Sequence, residues 1–233
     1  MRDLKLSVVC PVYNEGGNIR LLVDRLAREI SIPMELIVVY DRDDDDTLQA
    51  LATLSPPFAV RLVKNRFGHG ALNAIKTGFE EAKFEATLLI MADLSDDLRV
   101  VSRMYELVRQ GHDVVCGSRY TRGGKQIGGP FLKGLLSRTA GLTLHWFAGV
   151  PTTDVTNSFK MYRTAFLQAL TFESNGGFEI GMEAVVKAYV GGGRIAEVPS
   201  TWTDRVAGRS RFRLWRWLPK WLPMSAIRSR TET

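Results

Sequence analysis

The chain has 233 residues, 45% hydrophobic and 24% charged, which suits one compact α/β domain with a sizeable core. Its net charge of +6 is uneven: residues 205–233 hold eight Lys/Arg and one acid, and the other 204 hold 23 basic and 24 acidic side chains. That partition excludes a uniformly basic nucleic-acid binder, and no run of about 18 uncharged apolar residues is present to cross a membrane.

The opening "MRDLKLSVVCPVYNE" reaches Pro11 and Glu15 before a long apolar stretch forms, so no secretory leader is expected. Cys10 and Cys116, the two cysteines, sit inside apolar runs, which favours a reduced, cytoplasmic setting. "LKLSVVCPVY" reads as a strand, and "NIRLLVDRLAREI" places Ile19, Leu22, Val23, Leu26 and Ile30 on one helical face. "MELIVVYD" and "AVRLVKN" read as the second and third strands, "GALNAIKTGFEEA" as a helix, and "ATLLIMAD" as the fourth strand. "RVVSRMYELVRQG" is a helix ended by Gly111, and "DVVCGSRY" the next strand. Alternating β and α elements imply a mostly parallel sheet with helices on both faces, and such sheets bind ligands at the carboxyl ends of their strands.

After Tyr120 the pattern changes. "TRGGKQIGG" is a glycine-rich basic loop, "PFLKGLLSRTAGLTLHWFAG" a long helix with Pro130 near its start, and "NSFKMYR" a strand. "EIGMEAVVKAYV" is a helix and "GRIAEVPSTW" a final strand. The expected organisation is one domain over 1–204, with a nucleotide-binding half (1–120) and an acceptor-side half (121–204). Residues 205–233 then form a basic, tryptophan-rich tail.

Polar residues close the strands: Pro11, Tyr13, Asn14 and Glu15 the first, Asp41 the second, Asp93 to Asp97 the fourth, Ser118 and Arg119 the fifth. Taken singly, each is only a strand running into a polar loop. Four ends on one sheet edge, three with carboxylates, favour a site, and carboxylates suit Mg²⁺ held together with substrate phosphates.

"VVCPVYNEGGNI", the strand ending in Asp41, "MADLSDD", "GSRYTRGG", "TNSFKMYR" and "DRVAGRSRF" occur in an order that resembles the family-two inverting glycosyltransferases of the GT-A fold. The likeness covers nearly the whole chain and is greatest to the dolichyl-phosphate mannosyltransferase and polyprenyl-phosphate glycosyltransferase branch. The resemblance implies that Pro11, Tyr13, Glu15 and Asp41 line the nucleotide pocket, to which Asp93 also contributes. It makes Asp93 the last acid of an Asp-x-Asp motif that holds Mg²⁺ or Mn²⁺ against the donor diphosphate. Arg119, Arg205, Ser210 and Arg211 match positions facing phosphates, and Glu183 an acid on the helix backing the site.

Three positions depart from the family pattern. Met91 stands where the first acid of the motif belongs, and Ser95-Asp96 replaces Gln-His, so Asp96 is a candidate replacement metal ligand. "YDRDDDDT" replaces an Asp-Asp-Gly-Ser segment, and Asp43 to Asp46 are read mainly as a solvated helix start. Gly68 and Gly70 before a helix are a weak phosphate signal, and His69 is given no metal role.

A lipid-phosphate acceptor is already anionic and needs no strong base. A hydroxyl acceptor needs a carboxylate within hydrogen-bond reach, for which Asp154 or Asp96 are candidates, and the sequence does not choose. In the tail, "RFRLWRWLPKWL" sets Arg213, Arg216 and Lys220 opposite Trp215, Trp217 and Trp221, the pattern of a helix lying in a membrane interface. The expectation is a metal-dependent enzyme at the inner face of the membrane, using a nucleotide-diphosphate sugar and a lipid-linked acceptor. A nucleotide-sugar binding module without turnover, or a nucleotidyltransferase, are the rival readings.

Overall fold

The computed structural model describes residues 5–174 and 179–204. The nucleotide-side elements are β1 (Leu6–Pro11), α1 (Gly16–Glu29), β2 (Met34–Tyr40), α2 (Asp46–Ala52), β3 (Ala59–Lys64) and α3 (Ala71–Glu81). Then come β4 (Ala86–Leu89), a short 3₁₀ turn (Leu98–Val100), α4 (Val101–Arg109), β5 (Val114–Ser118), β6 (Lys125–Ile127) and α5 (Phe131–Ala148). The chain continues through β7 (Lys160–Arg163), α6 (Thr164–Ala169), α7 (Ile180–Val190), β8 (Ile195–Pro199) and β9 (Thr201–Thr203).

Seven strands form the main sheet in the order β3-β2-β1-β4-β7-β5-β8. Every pairing is parallel except those of β7, which runs antiparallel to both β4 and β5. The mostly parallel sheet expected from the sequence is therefore present. Both of its faces are covered, because side chains alternate across the pleat. Leu6, Val8, Cys10, Leu36, Val38 and Leu88 pack with α1 and α4 on one face. Val9, Ile37, Val39, Leu89, Cys116 and Tyr162 pack with α3 and α7 on the other. The helical stripe of α1 is buried as its spacing predicts: Ile19 and Leu26 are 0% exposed. Full burial of one such side chain contributes roughly 1.5–3 kcal/mol.

Several elements differ from expectation, each for a local reason. β4 ends at Leu89, short of Asp93, although Ile90 N–H still donates to Val9 O at 3.0 Å. The expected final strand breaks at Ser200: Ser200 N–H donates to Ser118 O, and β9 leaves to pair with β6 in a separate two-stranded sheet. β6 lies within the glycine-rich segment read as loop, and α6 follows β7 directly. β7, from the second half of the chain, sits between β4 and β5 of the first, so the two halves share one sheet.

Candidate active site

The strand order reverses at β1: β2 and β3 extend to one side and β4 lies on the other. A crevice forms at such a switch point, at the carboxyl ends of the strands. On its β1 wall, Val12 N–H continues the ladder to Val39 O, then Tyr13, 39% exposed, and Asn14 at φ 54° carry the chain into α1. Three successive amides of that turn are held from α2. Asn14 N–H donates to Asp45 Oδ2 (3.0 Å), Glu15 N–H to Thr47 Oγ1 (2.9 Å) and Gly16 N–H to Asp46 Oδ1 (2.8 Å). A Cβ at Gly16 would sit 2.9 Å from Asp46 Oδ1 and 3.1 Å from Asp46 O, so a larger residue would push Asp46 aside.

The acidic run is thus not simply a solvated helix start. Asp45 is 3% exposed and accepts Thr47 N–H as the N-cap of α2, while its other oxygen tethers Asn14. Asp43 and Asp44 do stay exposed, paired with Lys64 (2.5 Å) and Arg42 (2.6 Å). At the end of β2, Asp41 accepts from Asn65 Nδ2 (2.7 Å) and Gly70 N–H (2.9 Å), and His69 Nδ1 lies 3.9 Å from its Oδ2. Asp41 to Asp44, Lys64 and His69 line an open cleft of about 570 Å³.

The loop after β4 forms the facing wall. Leu94 has φ 63°, a left-handed conformation that is a genuine outlier for a bulky residue and marks functional loops. Arg25 of α1 holds it there, donating to the carbonyls of Leu94 (3.0 Å) and Asp96 (2.9 Å), and Thr203 N–H donates to Ser95 O (3.0 Å). Asp93 Oδ1 accepts Ser95 N–H at 3.2 Å. Asp96 is only 8% exposed, and burial, reinforced by the Asp93 charge, pushes its carboxyl up to about 7. Its Oδ2 and the Ser95 hydroxyl are buried with no hydrogen-bond partner among the described residues. Beneath them the Cys10 thiol is pushed up by burial and then by Glu15, Asp93 and Asp96, so all three acids lie within electrostatic reach of the end of β1.

Across from this acidic group, beyond β7, stands Arg119 at the end of β5. Asp154 receives its Nε (2.7 Å), its Nη2 (2.8 Å) and its backbone N–H (3.0 Å), and Nη2 also reaches Ser137 (2.9 Å) and Thr156 (3.0 Å). Asp154 is 0% exposed; burial opposes its charge, yet Arg119 overcomes this and holds the carboxyl below its usual range. Saturated and strongly ionised, Asp154 is unsuited to take a proton from a hydroxyl acceptor, so it holds Arg119 rather than serving as the base considered from sequence. Lys160 of β7, fully buried, donates to the carbonyls of Val155 and Asn157 and fixes the turn that carries Asp154.

Glu183, in the first turn of α7, accepts the amides of Glu173 (2.7 Å) and Ser174 (2.9 Å) and pairs with Lys187 (2.9 Å); its contacts brace that loop. Arg205, Ser210, Arg211 and the amphipathic tail lie outside the described residues. Glu15, Asp93 and Asp96 all bear electrostatically on Cys10, and Arg119 on Asp96, while Asp41 lines the cleft beyond β2. Arg25, Asp45, Asp46 and Lys160 were not singled out as site residues by the sequence. Each acts through contacts across 28 or more residues or through burial, and neither leaves a local pattern.

No helix among the described residues is long and apolar enough to cross a membrane. The family model described as glycosyl transferase family 2 matches residues 7–171. A dolichol-phosphate mannosyltransferase of Pyrococcus furiosus is 28% identical, over 90% of this chain and 60% of the relative, so the chain spans only part of that protein. An undecaprenyl-phosphate mannosyltransferase of Micrococcus luteus is 29% identical over 89% of this chain and 87% of its own. Among solved structures, glucosyl-3-phosphoglycerate synthase of Mycobacterium tuberculosis with UDP superposes with a TM-score of 0.70 at 17% identity, covering 95% of this chain and 80% of that one. Its complex with Mn²⁺, UDP and glucosyl-3-phosphoglycerate gives 0.67 at 18% identity, covering 95% and 76%. These structures share the fold.

Proposed function

The chain belongs to glycosyl transferase family 2, and from that membership we propose that it moves a sugar from a nucleotide-diphosphate donor to a polyprenyl phosphate or related lipid-linked acceptor, with inversion. The relatives named as dolichol-phosphate and undecaprenyl-phosphate mannosyltransferases support the choice of acceptor. The observation that carries the reading is the loop after β4, where Asp93 sits beside Asp96, whose Oδ2 is buried without a hydrogen-bond partner among the described residues, with Arg119 at the end of β5 acting on the same carboxylate.

A divalent cation fits this chemistry. No three His/Cys/Asp/Glu side chains cluster as metal ligands among the described residues, but Mg²⁺ is usually held by one or two carboxylates plus substrate phosphates. Asp93 and Asp96 are such a pair, and Asp96 Oδ2 is an orphaned buried oxygen. When bound, Mg²⁺ or Mn²⁺ would offset the negative charge on the departing diphosphate. Pro11, Tyr13, Glu15 and Asp41 are proposed to seat the nucleoside. Arg119, with Nε and Nη2 committed to the clamp, keeps Nη1 for a phosphate, and Arg205, Ser210 and Arg211 are proposed to add to it. A lipid phosphate is anionic near neutral pH and attacks without a general base. The enzyme is proposed to lie on the inner face of the membrane.

One observation favours a second reading: Asp96, with its carboxyl near 7, has the affinity for a proton that a base acting on a hydroxyl acceptor needs. The two separate on acceptor panels, phosphate against hydroxyl. Asp93→Asn keeps an oxygen for Ser95 N–H and so should fold normally. It should lower metal-dependent turnover by on the order of 10²–10³, the effect of losing one preorganised electrostatic contact. Near-normal turnover by this variant, measured with Mg²⁺ and Mn²⁺, would end the proposal for Asp93.

A further inference from the structure

Three successive carbonyls in the loop after β4 are held from other elements. Arg25 of α1 donates from Nη1 to Leu94 O (3.0 Å) and from Nη2 to Asp96 O (2.9 Å). The carbonyl between them, Ser95 O, takes Thr203 N–H at the end of β9 (3.0 Å). The remaining edge of the Arg25 guanidinium is committed to Glu29, with Nε to Oε1 at 2.9 Å and Nη2 to Oε2 at 3.4 Å. The two side chains are 20% and 26% exposed, so this fork forms largely out of water. At its focus Leu94 sits at φ 63°, a conformation that a bulky residue keeps only where its surroundings over-determine it.

Asp93 immediately precedes Leu94, and Asp96 follows two residues later. The placement of one carboxylate relative to the other therefore depends on the backbone dihedrals of the residues between them. Met91 stands where the family pattern has a further acid, so the geometry of the remaining pair matters more. We propose that Arg25 is a positioning residue for the divalent cation, its fork braced by Glu29 and locking the 94–96 backbone so that Asp93 and Asp96 form a ready-made pair. The inference rests on the cation site of the proposed function. A guanidinium cannot itself ligate a cation and repels one nearby; the Glu29 carboxylate offsets that charge. In this loop Arg25 donates only to main-chain oxygens, so it acts on the carboxylates through the chain. Groups that orient metal ligands without touching the metal change its affinity by about 10–100-fold when removed.

The test uses the full chain and the variants Arg25→Met, Arg25→Lys and Arg25→Met/Leu94→Asn. Mn²⁺ alone is titrated, with the free ion counted by its electron paramagnetic resonance signal. Arg25→Met should weaken Mn²⁺ binding by about 10–100-fold. Arg25→Lys should not restore it, because one ammonium on a flexible stem cannot hold two carbonyls in a fixed plane. Adding Leu94→Asn should recover most of the loss, since asparagine enters the left-handed region readily. That double variant also gives up the packing of Leu94 on the core and should melt lower. Affinity regained in a less stable chain is an outcome that a purely stabilising cross-link would not produce. A reading without metal comes from amide hydrogen exchange, where Arg25→Met should speed exchange across 90–97 and leave β1 and β2 protected. Mn²⁺ affinity equal to that of the parent chain in Arg25→Met or Arg25→Lys would overturn the proposal. Faster exchange spread evenly over β1 and β2 would overturn it too and assign Arg25 to global stability. A parent chain that binds no Mn²⁺ would refute the cation site and this inference together, whereas a binding parent beside an unaffected variant refutes the inference alone.

Discussion

Asp96 carries a charge that its surroundings oppose. Burial and the neighbouring Asp93 raise its carboxyl from an ordinary 3.8 to about 7, so between those values the folded chain holds a proton that the unfolded chain has released. Stability therefore falls as pH rises through that window, at up to about 1.4 kcal/mol per unit. Asp96→Asn removes the titration. Without metal, the stability of Asp96→Asn relative to the parent should improve by roughly 2–4 kcal/mol between pH 4 and pH 8. Urea unfolding at both pH values reads this difference, and an unchanged difference would mean that Asp96 is not desolvated. The variant should also lose metal-dependent stabilisation by nucleoside diphosphates, since the proposed cation would relieve the buried charge of Asp96. Strain of this kind belongs to a site kept ready for a ligand at the expense of stability.

Among the elements, the turn from β1 into α1 shows how far pattern reading reaches. The strand, the helix and the buried stripe of Ile19, Leu22, Val23 and Leu26 follow from periodicity, because one helical face meets one sheet face. The edge that carries Glu15, Asp93 and Arg119, after β1, β4 and β5, was legible too, since parallel strands end together. The left-handed Leu94 was not, nor the Arg25 contacts that span 69 and 71 residues, because such contacts obey no period. The antiparallel β7 also escaped, as "NSFKMYR" shows a strand but not its direction. The tether from α2 gives this element its prediction. Gly16→Ala sets a methyl against Asp46, through both Oδ1 and the backbone O at 3.1 Å. It should destabilise the fold by about 1–3 kcal/mol, the usual effect of overpacking, and raise the KM for donor more than it lowers kcat. A KM that stays constant would show that the turn does not position the donor.

For the whole molecule, the uneven distribution of charge bears on the proposed contact with lipid. The tail carries most of the net positive charge, and each basic residue near an anionic surface contributes about 1 kcal/mol, screened beyond a Debye length. Truncation after Ala207 should therefore weaken vesicle binding and remove its salt-sensitive part, measured by co-sedimentation from low to high salt, and it also removes Trp215, Trp217 and Trp221. Retention of the full salt dependence would show that the tail's charge does not face lipid. The strand order governs the molecule in time as well as in space. β7 is synthesised after β4 and β5 yet lies between them, pairing Ala86 with Arg163 and Cys116 with Lys160. Until residues 160–163 leave the ribosome, β4 presents an unpaired apolar edge and β5 has no neighbour on its inner side. Pairings so distant in sequence close slowly, and open apolar edges recruit other chains. A chain stopped after Ser158 should accordingly aggregate, whereas one stopped after Asp204 should remain soluble. Soluble, cooperatively unfolding material from the shorter chain would show that the sheet does not wait for its central strand.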